Sequence, residues 1–95
     1  MQSTISLTNH LKELLQHPDF EYEVETEHLA DNTTVFTFDT DRSNFDLILD
    51  GNRETALLME YAFVPSPDGS IDDFDVEFKS AHQIESAQQF LDSIK

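Results

Sequence analysis

Two segments of this chain alternate acidic with apolar residues, and this alternation constrains the fold more than any other feature. Every second residue is a carboxylate in Phe20-Glu21-Tyr22-Glu23-Val24-Glu25 and again in Phe74-Asp75-Val76-Glu77-Phe78. Because successive side chains of a β-strand point to opposite faces, each segment predicts a strand with one acidic and one apolar face. A disordered acidic tail is excluded, since its charges would stand in low-complexity blocks poor in aromatic residues.

The charge of the chain is strongly negative. It has 20 Asp and Glu against 5 Lys and Arg, which gives a formal net charge of −15 at pH 7. Between Glu13 and Phe78 there are 18 carboxylates and only two basic residues, Arg42 and Arg53. Such a field repels nucleic acid and anionic membranes, so we expect neither as a direct partner. The partner expected from charge is the basic surface of another protein.

Length and composition predict one domain covering residues 1–95, because 95 residues are too few for a second core. Eight Phe and two Tyr supply the apolar side chains of that core, and the absence of Cys excludes disulfides and thiolate zinc sites. No stretch approaches the roughly 20 apolar residues of a membrane span, and the N-terminus has no basic segment followed by an apolar run. We therefore expect a soluble, cytoplasmic protein.

The N-terminal part predicts a helix followed by strands. Leucines at positions 7, 11, 14 and 15 form one helical stripe, so a helix is expected over about Ser6–Gln16, ended by Pro18. The first strand is predicted through Phe20, Tyr22 and Val24, with a loop over His28–Asn32. Further strands are predicted over about Thr33–Asp39, Phe45–Leu49, Thr55–Val64 and Ile71–Lys79.

The fourth of these strands contains Ala56-Leu57-Leu58-Met59-Glu60, which has helical propensity. Strand is favoured because turn signals bracket it. Asp50-Gly51-Asn52 is a hairpin signal in which Gly supplies positive φ, and Pro65-Ser66-Pro67-Asp68-Gly69 is a turn cluster.

A second helix is predicted to begin at Ser80, because Ser80-Ala81-His82-Gln83 fits a capping box. Its buried stripe would be Ile84, Ala87, Phe90, Leu91 and Ile94. The predicted fold is α+β, a two-layer sandwich in which an antiparallel five-strand meander carries both helices on one face, in the order α-β-β-β-β-β-α. Apolar residues also fall on the predicted helix-free face, which leaves a homodimer or a partner contact open; they are Val35, Ile48, Leu58, Ala62 and Val64.

The carboxylates on alternate strand positions are the candidate partner-binding residues. Side chains at i and i+2 of a strand lie about 6.6 to 6.8 Å apart on one face, whereas phosphates of one DNA strand advance about 3.4 Å per nucleotide along the axis, so the two linear charge densities are of the same order. One predicted ladder is Glu21, Glu23, Glu25 and Glu27; a second is Asp73, Asp75 and Glu77; a further patch is Asp39, Asp41, Asp46 and Asp50. The alternative is a solvated surface that only provides solubility. The scarcity of Lys and Arg favours binding, since surfaces built for solubility intersperse both signs.

No metal or cofactor site is expected. Asp39, Asp41, Ser43 and Asp50 have the spacing of EF-hand calcium ligands, but Asn44 replaces the required Gly and Asp50 the bidentate Glu. A polar turn is the preferred interpretation. His10 and His17 stand two helical turns, about 10.5 Å, apart, which is too far for one metal ion.

The sequence also argues against an enzyme. It contains no nucleophile elbow, no phosphate-binding Gly loop and no dinucleotide fingerprint, and two glycines are too few to build the usual forms of these motifs. A 95-residue two-layer domain also rarely provides the cleft that paired catalytic carboxylates need.

The leading functional hypothesis is an inhibitor that mimics nucleic-acid charge and blocks the basic nucleic-acid-binding groove of a protein target. Phages and mobile elements use such proteins as anti-CRISPR or anti-restriction factors. The alternative is an acidic binding module for a basic protein ligand, such as an immunity protein against a toxin or a secretion chaperone. Adaptation to high salt is a third explanation, which the Phe-rich, Ala-poor composition disfavours.

Overall fold

Two helices flank one five-stranded sheet in the computed structural model, which describes residues 6–65 and 74–95. The elements are α1 (Leu7–Gln16), β1 (Val24–Leu29), β2 (Thr33–Asp39), β3 (Ser43–Asp50), β4 (Thr55–Pro65), β5 (Phe74–Ile84) and α2 (Ala87–Ser93). The predicted α+β order is confirmed. Neither of the described helices, at 10 and 7 residues, is long and apolar enough to cross a membrane.

The strands follow one another in space as they do in sequence. The sheet order is β1-β2-β3-β4-β5, and every neighbouring pair is antiparallel. The predicted meander is thus confirmed, including β4, whose helical propensity is overridden by pairing on both sides. Short connections make this topology the natural one, because parallel pairing requires long crossovers.

The core lies between the helices and one face of the sheet. In β2 and β3 every second residue is buried. Leu58 of β4 lies opposite Leu47 of β3 and extends this buried face to β4. Helix α1 contributes Leu11 and helix α2 contributes Phe90, both fully buried. The remaining buried apolar residues of the core are Leu15, Phe36, Phe38, Phe45, Leu49, Ala56, Ile84 and Ile94.

The bounds of the first predicted strand were wrong. Phe20 and Tyr22 pack against the core, but they precede the strand, which begins at Val24 and runs through His28 to Leu29. The segment that follows α1 must first turn around Pro18, where the amide of Phe20 donates a hydrogen bond of 3.0 Å to the carbonyl of His17. Aromatic packing therefore explains the apolar positions here, and strand pairing begins only afterwards.

The predicted start of the second helix was also wrong. Residues 80 to 84 continue β5, and the helix cap is Ser86, whose hydroxyl accepts a hydrogen bond of 3.1 Å from the amide of Gln89. The Gln89 side chain in turn accepts a hydrogen bond of 2.7 Å from the amide of Glu85. The sequence contains the pattern Ser-x-x-Gln twice, six residues apart, and the second copy caps the helix, with its Gln side chain bonded to the residue before the cap.

The side-chain alternation of β4 also differs from the prediction. Leu58 is fully buried under the helices, and Ala62 lies opposite Ser43, which is buried on the same face. Val64 follows at the next alternate position of the strand. The apolar residues of β4 that face away from the helices are instead Leu57, Met59, Tyr61 and Phe63. Apolar residues occupy both faces of β4, so only the register with β3 decides which set is buried.

A β-bulge interrupts the pairing of β4 with β5. Tyr61 lies opposite Phe78, whereas Glu60 lies opposite Ser80, so Lys79 is an extra residue on β5. The bulge reverses the alternation of β5: Val76 and Phe78 face away from the helices, while His82 and Ile84, farther along, face the helices. Val76 and Phe78 are 50% and 56% exposed.

Candidate functional site

The candidate site is the sheet face that the helices leave open. The residues of β1, β2 and β3 on this face alternate with the buried ones, and they include six carboxylates, which we call the acidic patch: Glu23, Glu25, Glu27, Asp39, Asp46 and Asp50. Glu25 and Glu27 lie opposite Thr37 and Val35 of β2. Glu23 precedes β1 and borders an open depression with Glu25 and Asp39. The acidic patch therefore spans three neighbouring strands.

Among the residues that the structure describes, no Lys or Arg side chain lies within the acidic patch. The five Lys and Arg of the chain all lie within the described ranges, and none projects from the open face of β1, β2 or β3. In those ranges, Glu23, Glu25 and Glu27 make no ion pair, and Asp50 alone of the patch is near an arginine, Arg53, at 4.0 Å. The field above these strands is therefore almost uncompensated.

Three carboxylates of the acidic patch also have structural roles. Asp46 accepts a hydrogen bond of 2.9 Å from the hydroxyl of Thr37, and Asp39 accepts one of 2.6 Å from the side-chain amide of Asn44. Asp50 accepts hydrogen bonds of 3.0 and 3.1 Å from the backbone amides of Asn52 and Arg53 in the turn before β4. These bonds fix the carboxylates in place and leave each with further acceptor capacity.

The two predicted ladders do not form one surface. Asp75 and Glu77 lie opposite Val64 and Ala62 of β4, on the helix side of the sheet, and β5 is the edge opposite to β1. Asp73 lies outside the described residues. Because the bulge at Lys79 sets the orientation of this part of β5, a flat partner cannot contact both ladders at once.

Two further predicted residues lie apart from the acidic patch. Glu21 is exposed in the segment before β1 and borders a depression at the helix layer with Leu14 and Leu91, so the ladder begins at Glu23. Asp41 is exposed in the turn between β2 and β3, at the end of the sheet. The sequence pattern could not reveal either displacement, because both depend on where strand pairing stops.

The other half of the open face is apolar. We call it the apolar strip, which consists of Leu57, Met59, Tyr61 and Phe63 of β4 and Val76 and Phe78 of β5. The ring centroids of Tyr61 and Phe78 are 6.0 Å apart in an edge-on arrangement. None of the six residues is charged, although 26% of the chain is. The sequence predicted an apolar open face but did not identify these members of β4 and β5.

The cations gather on the helix side instead. Arg42, Lys79 and Lys95 line a depression together with the partly buried Glu60. Glu60 accepts a hydrogen bond of 2.6 Å from the hydroxyl of Ser43 and one of 3.3 Å from the ammonium of Lys79. The hydrogen bond from Ser43 and the Lys79 charge together lower the pKa of Glu60 below its usual 4.5, against the effect of burial, which raises it.

The described residues contain no cluster of three or more His, Asp or Glu side chains that could hold a metal ion. The segment from Asp39 to Asp50 comprises the last residue of β2, the β2–β3 turn and the whole of β3, so its EF-hand-like spacing lies largely along a strand. Comparisons with protein-family models, with curated proteins and with solved structures found no match to this chain.

Proposed function

We propose that this protein is a non-enzymatic inhibitor that mimics nucleic-acid charge and blocks the basic nucleic-acid-binding groove of a protein target. The observation that supports this function is the acidic patch, in which six carboxylates lie on one rigid sheet face without Lys or Arg among them. Such a surface attracts basic grooves over long range and repels nucleic acid itself. Counter-defence proteins of phages or mobile elements, of the anti-CRISPR or anti-restriction kind, act in this way.

The geometry within the acidic patch fits a groove that holds a phosphate backbone. Glu25 and Glu27 are about 6.6 to 6.8 Å apart along β1, and Glu23 precedes them at the start of the strand. Asp39 and Asp46 stand one and two strands away, at roughly 4.8 Å per strand, which broadens the row into a band. A groove lined by Lys and Arg can therefore meet several carboxylates at once.

Competition with polynucleotide tests this function. The protein is immobilised, the lysate of a candidate host is passed over it, and the retained protein is identified by mass spectrometry and purified. The binding of that target is then measured with added polynucleotide and with sodium chloride from 50 to 300 mM. We expect polynucleotide to displace the inhibitor, and the association rate to fall steeply with salt as the screening length drops from about 14 Å to about 6 Å. Binding that survives excess polynucleotide would contradict the proposed function.

The apolar strip favours a second candidate, an acidic binding module for a basic protein ligand such as a toxin or a secreted protein. Phe63, Val76 and Phe78 are 38%, 50% and 56% exposed on one side of the sheet. A ligand held through these side chains would dissociate slowly at high salt, and added polynucleotide would not displace it. The competition experiment separates the two functions.

A further inference from the structure

The open face presents two chemistries side by side. The acidic patch covers β1, β2 and β3, where Val35 and Ile48 lie among its carboxylates, and the apolar strip covers β4 and β5, where Gln83 shares the face. Asp46 lies directly opposite Met59, so the two regions meet without a gap between β3 and β4. Since both regions lie on one face of the sheet, a partner surface that follows the twist of the sheet can contact both of them together.

Size supports a partner that covers both regions. With neighbouring strands about 4.8 Å apart and about 3.3 Å per residue, five strands of eight residues cover roughly 24 by 26 Å, or about 630 Å². A stable interface buries about 800 Å² on each partner. The whole face approaches that area, whereas the apolar strip alone covers less than half of it and would pair two copies only weakly.

Charge distinguishes the partner further. A second copy would bring another −15 charge against the face, while a partner that is basic along one side meets the acidic patch with the opposite sign. The apolar strip carries no charge that could attract a second copy or a basic partner. It therefore requires apolar or aromatic side chains opposite Tyr61, Phe63 and Phe78.

We propose that the partner surface combines a row of basic residues with an adjoining apolar or aromatic strip, and that the open face binds both at once. This inference rests on the proposed function and narrows it. Grooves that hold single-stranded nucleic acid have this composition, because Lys and Arg follow the phosphates while aromatic side chains stack on the bases. In such a groove the acidic patch takes the place of the phosphates, and the apolar strip takes the place of the bases.

Two synthetic peptides probe this composite surface. Each is an 18-residue helix, about 27 Å long, which matches the length of the face. One carries Lys along one side and Leu along the other; the second has the same Lys with Gln in place of Leu. Their dissociation constants are measured by fluorescence anisotropy at 50 and 300 mM sodium chloride.

We expect the Lys-Leu peptide to bind about tenfold or more tightly than the Lys-Gln peptide at 300 mM salt, because burial of apolar surface is not screened. The double variant Phe63→Ser/Phe78→Ser should abolish this preference. The double variant Glu25→Gln/Glu27→Gln should weaken both peptides alike and keep the preference. As a control on the opposite face, Asp75→Asn/Glu77→Gln should leave the preference unchanged.

Circular dichroism establishes that each variant is folded. If Phe63→Ser/Phe78→Ser is not folded, the single variant Phe78→Ser replaces it. Equal binding of the two peptides, or a preference that survives the loss of both phenylalanines, overturns this inference while the proposed function stands. Insensitivity of both peptides to Glu25→Gln/Glu27→Gln counts against the acidic patch and hence against the proposed function. Sedimentation could also show a dimer that Phe63→Ser/Phe78→Ser converts to a monomer. That result assigns the apolar strip to a second copy of the chain and also overturns the inference.

Discussion

The hydroxyl of Thr8 in α1 donates a hydrogen bond of 2.7 Å to the carboxylate of Glu54 in the turn between β3 and β4. Thr8 is buried, at 2% exposure, while Glu54 is exposed and has a backbone φ of 55°. Positive φ is unfavourable for a residue with a side chain, so we expect the helix contact to hold this turn in its conformation.

A double-mutant cycle tests this contact. Thr8→Val and Glu54→Gly each break the hydrogen bond, and Glu54→Gly also relieves the positive φ. We expect a coupling free energy of about 1 kcal/mol or more, because a hydrogen bond to a charged group contributes about 1.5 to 3 kcal/mol. Urea unfolding of the two single variants and the double variant measures it. Additivity within about 0.5 kcal/mol would show that the contact does not stabilise the turn.

The core makes a second prediction. Leu47 is fully buried and lies between Phe36 of β2 and Leu58 of β4. Leu47→Ala should lower the free energy of unfolding by about 2 to 5 kcal/mol, since it leaves a cavity at the centre of the sheet. Glu23→Ala removes an exposed side chain and should change it by less than about 0.5 kcal/mol. Similar effects of the two substitutions in urea unfolding would contradict the assigned core.

The third prediction concerns the start of α2. Ser86→Ala removes the hydroxyl that accepts the hydrogen bond from the Gln89 amide, and we expect a cost of about 0.5 to 2 kcal/mol. Ser80 lies within β5, so Ser80→Ala should cost less than Ser86→Ala. Thermal melts of the two variants decide between the two possible caps. A larger loss of thermal stability for Ser80→Ala would support the longer helix that the sequence predicted.

Glu60 makes a pH-dependent prediction. Its pKa is lowered in the folded protein, chiefly by the hydrogen bond from Ser43, so its ionised form stabilises the fold. This stabilisation is present above the unfolded pKa and is lost as the pH falls through the lowered folded value. At pH 7 the wild-type protein should therefore have a higher melting temperature than Glu60→Gln, and this difference should shrink below about pH 4.5.

The control for Glu60 is Glu25→Gln, which removes the same charge from an exposed position. It should leave the melting temperature at pH 7 unchanged or raise it, because repulsion within the acidic patch falls. A pH-independent difference between wild type and Glu60→Gln would show that the charge of Glu60 has no stabilising partner.

The acidic patch makes the fifth prediction. Reversing Glu23, Glu25 and Glu27 to Lys should abolish binding to a basic target, while the thermal melt stays intact or improves. The matched control also reverses three carboxylates outside the acidic patch: Glu21, which lies at the helix layer, and Asp75 and Glu77, which lie on the helix side of the opposite edge strand. Calorimetric titration of the target with both variants measures the difference. Equal loss from both variants would mean that net charge, and not the acidic patch, determines binding.

Much of the fold could be predicted from local patterns. The leucine stripe of α1 and the alternation of β2 gave bounds that agree with the structure within a residue. Registers could not be predicted, because Leu57 and Leu58 are equally apolar and only pairing with β3 buries Leu58. The carboxylates of β1 were found, but the division of the ladders between two faces depends on pairing across the whole sheet.

Turn chemistry shows a similar limit. Gly51 was expected to supply positive φ before β4, but Glu54 does so. Gly51 fits this turn for a different reason: its amide donates a hydrogen bond of 2.9 Å to the carbonyl of Asn32, and a Cβ at Gly51 would fall 2.8 Å from Cγ of the Asn32 side chain, which would have to move. A close approach between two turns that are far apart in sequence leaves no local signal.

The extra residue in β5 has a consequence for how this surface can change. If the bulge were lost because Lys79 paired with Tyr61, while the pairing of Ser80 with Glu60 was kept, residues 75 to 78 would shift by one position along β4. Asp75 and Glu77 would then turn to the open face, and Val76 and Phe78 would turn toward the helices. The sheet would then show carboxylates at both edges. A shift of one residue in the pairing of β5 thus separates a half-apolar binding face from one that is acidic at both margins, so partner preference in this fold can switch without any change of sequence.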